Sequence, residues 1–139
     1  MLDSIIVTDL KRIAVLGGDV LHAMRIDSPG YSGYGESYFS IIESGAIKAW
    51  KKHSKMTLNL VVPQGMVKFV FTDGNGNFLI KEIGEQKFTR LTVPPGIWFG
   101  FRGLGAAGSL ILNISNILHD PREVERKESY EIPYDWSCK

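Results

Sequence analysis

The stretch "MVKFVFTDGNGNFLIKEI" (66–83) decides the fold. Two runs rich in Val, Phe and Ile flank Asp73-Gly74-Asn75-Gly76, and Asn and Gly tolerate the positive φ that a tight turn demands. The reading is a β-hairpin. Outward from it the same pattern repeats, with breakers at Gly17-Gly18, Pro29-Gly30, Gly45, Gly65, Gly84, Pro94-Pro95-Gly96 and Gly103. Between them lie short runs of Val, Ile, Phe, Tyr, Trp and Thr, which predict strands over 19–24, 36–43, 46–53, 57–63, 66–72, 78–83, 87–93, 97–103 and 109–116.

Helical signals are few. "SIIVTDLKRIAVL" (4–16) has helical apolar spacing, but its Ile/Val content argues strand and Gly17-Gly18 stops it. The tail "HDPREVERKES" (119–129) predicts a short C-terminal helix, with Asp120 as cap and Pro121 in the first turn. The expected architecture is all-β, a double-sheet jelly roll closed by that helix. Its cavity would be lined by alternate residues of the inner strands.

The 139 residues suit one domain, 1–139, and 44% apolar content suits a globular core. Sixteen Lys and Arg against fifteen Asp and Glu leave no basic excess for a nucleic-acid partner. One cysteine, Cys138, excludes an intrachain disulfide and a Cys-rich zinc site. No apolar run reaches the ~18–20 residues of a membrane span. The N-terminal stretch does not read as a signal peptide, so a soluble cytoplasmic protein is expected.

The chemistry concentrates in "GAIKAWKKHSKM" (45–56). Strict alternation puts Ile47, Ala49, Lys51 and His53 on one face and Lys48, Trp50 and Lys52 on the other. If the first face points inward, an ammonium stands one strand step from an imidazole and favours its neutral, proton-accepting form. If the second does, Trp50 fills core and His53 is solvated.

The order "GAIKAWKKH", "LNLVVPQGMVKFVFTD", "RLTVPPGIWFGFRGL" and "IPYDW" resembles the dTDP-4-dehydrorhamnose 3,5-epimerase group of cupins over roughly residues 17–136. The resemblance implies a cupin jelly roll acting on a nucleotide-linked 4-keto-sugar in surface-polysaccharide biosynthesis. It makes His53 the general base that removes a proton next to the ketone. Lys51 is the cation that chemistry suggests for the enolate oxygen, and Asn59, Trp98, Phe99, Arg102, Tyr38 and Asn113 are the further substrate-binding candidates. Trp98 and Phe99 would stack on a ring or pack in the core. The cupin metal positions fall on Lys51, His53, Leu58 and Phe99, so no metal and no cofactor is expected.

Two departures from that family pattern stand out. The place of its general-acid tyrosine holds Leu112, with Asn113 next to it, and Tyr34, Tyr38 or Glu36 would have to substitute. Its orienting carboxylate comes from a C-terminal extension that this sequence does not show. A 3,4-ketoisomerase of the same fold and a non-catalytic sugar-nucleotide binding module are the alternatives. A homodimer is expected.

Overall fold

A computed structural model describes residues 1–137; the reading of Cys138 lies outside them. Twelve strands are present among the described residues: β1 (Ile6–Asp9), β2 (Arg12–Ile13), β3 (Val20–Leu21), β4 (Glu36–Ile42), β5 (Ile47–His53), β6 (Leu58–Gln64), β7 (Met66–Thr72), β8 (Phe78–Gly84), β9 (Thr89–Val93), β10 (Trp98–Gly103), β11 (Ser109–Ser115) and β12 (Val124–Arg126). They form two antiparallel five-stranded sheets, β1-β9-β6-β11-β4 and β12-β5-β10-β7-β8, with β2 and β3 as a separate pair. This is the expected jelly roll. The 66–83 hairpin pairs Thr72 with Phe78 across its turn.

The sheets face each other across a core of alternate residues: Leu58, Leu60 and Val62 from β6, and Val67, Phe69 and Phe71 from β7. Phe99 of β10, Leu91 of β9 and Ile111 of β11 complete it. A second cluster, Trp50, Val70, Trp98, Ile132 and Trp136, covers the outer face of the β5-β10-β7 sheet. Dispersing both clusters into water would cost roughly 1.5–3 kcal/mol for each large side chain.

The tail corrects the expected helix. Asp120 does cap a turn, accepting from the Arg122 amide, with Pro121 in first place. The turn is a single 3-10 one, Pro121–Glu123, and the chain then runs on as β12, with a further 3-10 turn at Ser129–Glu131. An edge strand leaves backbone N–H and C=O groups open. Val124–Arg126 takes those of β5 in preference to its own helical bonds.

Gly65, between β6 and β7, has φ +89°, and a Cβ there would collide with the side chain of Ser109. Gly65→Val is therefore expected to cost at least about 1–3 kcal/mol, from left-handed backbone alone. A thermal melt checks it, and an unchanged midpoint overturns the assignment.

Candidate active site

The site is built where β5 breaks its alternation. Phe99 of β10 pairs with Lys51 but Gly100 pairs with Ala49, so Trp50 is the extra residue of a β-bulge. Past it the faces change over. Lys51 and His53 share a face with the core residue Phe99, while Trp50 packs outside with Trp98 and Trp136. Lys48, opposite Phe101, also turns inward, and its Nζ reaches the Ile41 carbonyl of the facing sheet at 3.1 Å. The strict alternation expected from sequence thus holds for Lys51 and His53 and fails for Lys48, Ile47 and Ala49.

His53 is 5% exposed. Its Nδ1 lies 2.6 Å from Oε2 of Glu123, itself 4% exposed, while Oε1 of Glu123 accepts from the amides of Met56 (2.9 Å) and Lys55 (3.2 Å). The carboxylate therefore sets the tautomer: Nδ1 carries the hydrogen and Nε2 is the free base. Nε2 is buried and has no hydrogen-bond partner among the described residues. Such an orphaned polar atom costs stability unless something else uses it. The expected lack of an orienting carboxylate is corrected: the 3-10 turn before β12 supplies one from within the chain.

Burial pushes the His53 imidazole below its ordinary pKa, against the pull of Glu123, and Lys51 and Arg126 push the same way. The ring is thus neutral at physiological pH. Burial likewise lowers the Lys51 ammonium, helped by Arg126. For Glu123 burial works against the charge, but the bonds from His53 and the Met56 amide outweigh it and hold the carboxyl below its usual range.

Beside this pair lies a cavity of about 520 Å³, within the range of ligand sites. Its walls include Ser40, Lys48, Lys51, Phe99, Phe101 and Arg126. Arg126 faces Lys51 across the β12–β5 ladder. His53 stands directly behind this wall, its ring stacked on Phe99 at 6.3 Å, with Lys51 Nζ 5.9 Å from the same ring. Four cations, Lys48, Lys51, Arg126 and Lys127, line it together with the carboxylates Glu128 and Glu131, and none of the four is in an ion pair among the described residues.

The remaining candidates divide between the faces. Tyr38 and Asn113 are cross-strand partners in the opposite sheet, on the face that carries Ile42 and Ile111 into the core. Asn113 Nδ2 donates to Ser40 Oγ at 2.9 Å. Burial and the nearby Glu36 raise the Tyr38 phenol, so it stays protonated. Leu112 points the other way, toward Phe39.

Asn59, Trp98 and Arg102 stand outside the cavity, because each is one residue out of phase with the core. Asn59 donates to the Gly30 carbonyl and accepts from Thr92 Oγ1. Trp98 lies between the ammonium groups of Lys52 and Lys127, 5.0 and 4.8 Å from its ring. Arg102 Nη1 donates to the Trp136 carbonyl at 2.7 Å. Sequence reasoning missed Glu123 and Arg126. The alternation of Val124 and Arg126 with Glu125 was their signal, hidden by the Asp-Pro helix start. Among the described residues no three His, Cys, Asp or Glu side chains converge.

No family model matches the chain. The chain is 34% identical to a dTDP sugar isomerase from Desulfovibrio desulfuricans G20 of known structure, with a TM-score of 0.92 over 99% of this chain and 93% of that one. It is 28% identical over 137 residues to a probable low-salt glycan biosynthesis epimerase, Agl13, from Haloferax volcanii, covering 93% of this chain and 86% of that protein. A sugar 3,4-ketoisomerase from Thermoanaerobacterium thermosaccharolyticum, 16% identical, shares the fold at a TM-score of 0.78 over 95% of this chain and 94% of that one. With the bulge that turns Lys51 and His53 inward, the buried His53–Glu123 pair and a relative this similar over nearly the whole length of both chains, the chain belongs to the dTDP-sugar isomerase and epimerase family of cupins.

Proposed function

We propose that the protein is an isomerase that epimerises a nucleotide-linked 4-keto-sugar by proton abstraction next to the ketone, in surface-polysaccharide biosynthesis. The observation that carries this reading is the imidazole of His53, held at Nδ1 by a buried carboxylate and unpartnered at Nε2. Nε2 takes the proton alpha to the ketone, and Glu123 stabilises the imidazolium that forms. The electrons move onto the ketone oxygen, where the Lys51 ammonium stabilises the enolate. Lys48 and Arg126 leave further positive charge for a diphosphate, which needs more than one cation. The donor set at the cupin positions, one imidazole with an ammonium and two apolar side chains, suits a reaction that needs no metal.

Epimerisation requires the proton to return on the face opposite the one it left. His53 belongs to one sheet and Tyr38 to the other, on the faces turned toward each other, so a sugar held between the sheets would meet the two from opposite sides. Tyr38 is the donor in this reading, replacing the family's tyrosine on β11 from one strand away. A second reading, 3,4-ketoisomerisation, is favoured by Asn113 standing on β11 where that acid is absent. His53 would then deliver the proton on the same face to the former ketone carbon, while the hydroxyl on the carbon that lost it gives up its own proton to the former ketone oxygen and becomes the new ketone.

Solvent deuterium incorporation into dTDP-4-keto-6-deoxyglucose tests both. The wild type is expected to incorporate label. In Tyr38→Phe, label that persists while the epimerised product is lost supports the epimerase, and a 3-keto product formed as in the wild type supports the ketoisomerase. Binding without incorporation leaves a sugar-nucleotide binding module. The same reading keeps the protein cytoplasmic and makes it a homodimer, with the exposed Phe39 and Ile41 of edge strand β4 supporting a partner there. No described helix is long and apolar enough to cross a membrane.

A further inference from the structure

The segment after β11 that carries Glu123 and Arg126 is held to β5 through its backbone, and its far end by two buried side chains. β12 pairs with β5 over three residues, extended by the Ser54 N–Glu123 O bond at one end and the Trp50–Lys127 pair at the other, and from Glu125 to Glu131 every side chain is exposed. Beyond Glu123 the buried side chains of this strap are Ile132 and Trp136. A three-residue edge strand is marginal without packing.

The packing comes from the outer aromatic cluster. Trp136 packs at a tilt of 43° on Trp50 at 5.4 Å and edge-on against Tyr134 at 4.9 Å, and Tyr134 meets Phe78 at 5.3 Å. Arg102 Nη1 ties the Trp136 carbonyl to β10. Trp50 is the hub. It exchanges backbone hydrogen bonds with Lys127, and its indole donates to the Ser129 carbonyl at 3.2 Å. Trp50 is also the bulge residue that turns Lys51 and His53 inward. One indole pair on the outside thus joins the strap bearing the carboxylate to the strand bearing the imidazole.

We propose that Trp136 is a remote positioning residue: packed on Trp50, it fixes the strap and so seats the Glu123 carboxylate on His53 and the Arg126 guanidinium at the cavity. The inference rests on the reading of His53 as the base, but its seating claim is testable without activity. The amides of Lys55 and Met56 donate to Glu123, so their hydrogen exchange reports whether the carboxylate stays in place.

The experiment compares Trp136→Ala, Trp136→Phe and Ile83→Ala in the full chain. Ile83 is a buried core residue on β8, at the opposite edge of the sheet from β12. In Trp136→Ala, amide exchange at Met56 and Lys55 is expected to rise at least about tenfold and substrate deuterium incorporation to fall by a similar factor. Trp136→Phe keeps a ring on Trp50 and restores most of both. Ile83→Ala lowers stability while leaving both near wild type. Because Trp136 acts through Glu123, adding Trp136→Ala to Glu123→Gln should reduce incorporation little further. Unchanged protection of Met56 in Trp136→Ala, equal loosening in Ile83→Ala, or multiplying effects in the double variant each overturn the proposal. A wild type that incorporates no label defeats the catalytic reading instead, and the amide measurements then decide the latch alone.

Discussion

His53→Asn is expected to lower deuterium incorporation by about 10²–10⁴-fold while the protein stays folded. The asparagine amide occupies roughly the place of Nδ1 and can still donate to Glu123, so the buried carboxylate keeps a partner. What it lacks is an atom at Nε2, the position from which a proton is taken. His53→Ala removes both, leaves Glu123 Oε2 without its bond, and is expected to cost about 1–3 kcal/mol more in a urea titration. The two variants separate chemistry from folding: equal loss of incorporation with unequal loss of stability is the signature of a base. Wild-type incorporation in His53→Asn, with substrate bound, would end the assignment. From sequence alone, a near-neutral His53→Asn is the mark of a polar cavity face and a loss of several kcal/mol that of a structural histidine. His53 is buried and still spare at one nitrogen: Glu123 satisfies Nδ1, and Nε2 has no partner among the described residues.

Most of the fold was legible because it is written in short-range signals. The nine predicted strands coincide with β3 to β11 within a few residues, for each run has at one end at least a glycine or proline whose turn chemistry is local. The site was legible only in part. Lys51 and His53 lie beyond the bulge, two residues apart, so simple alternation still puts them together. Lys48 lies before it, and one extra residue, Trp50, reverses its face. No local pattern in "IKAWKK" announces that insertion; it falls where β5 passes Gly100 of β10, at which a Cβ would stand 2.6 Å from that of Ala49. Asn59, Trp98 and Arg102 are polar or aromatic residues on inner strands, but each sits on the outward phase. Glu123 was invisible for another reason. Its partner is 70 residues away, and Asp-Pro-Arg-Glu reads locally as a helix start until the open edge of β5 captures Val124–Arg126 as a strand.

Glu123→Gln carries the other large expectation, and its sign comes from the two shifted groups. Glutamine can still accept from the Met56 amide but brings an N–H toward His53, which favours the tautomer with hydrogen on Nε2. That form cannot accept a proton there, and a loss of about 10²–10⁴-fold is expected, as when a triad carboxylate becomes an amide. The negative charge also helps hold a proton on the ring, so its removal lowers the His53 pKa further. The acid limb of kcat/KM, already below the ordinary histidine value of about 6.5, therefore moves to lower pH in the variant. Stability obeys the same linkage. His53 is depressed in the folded chain, so the unfolded chain takes up a proton first, and wild-type stability declines as pH falls below about 6.5. Glu123 is depressed as well, so its contribution is complete above its usual value near 4.5 and is lost as pH falls through the lowered one. The stability gap between wild type and Glu123→Gln should thus be open at pH 7 and shrink below about pH 4.5. Urea titrations at about pH 7 and about pH 3.5 measure it. A gap that persists undiminished at the lower pH, together with an acid limb that does not move, would mean that the carboxylate carries no charge in the folded protein and leaves His53 without its orienting anion.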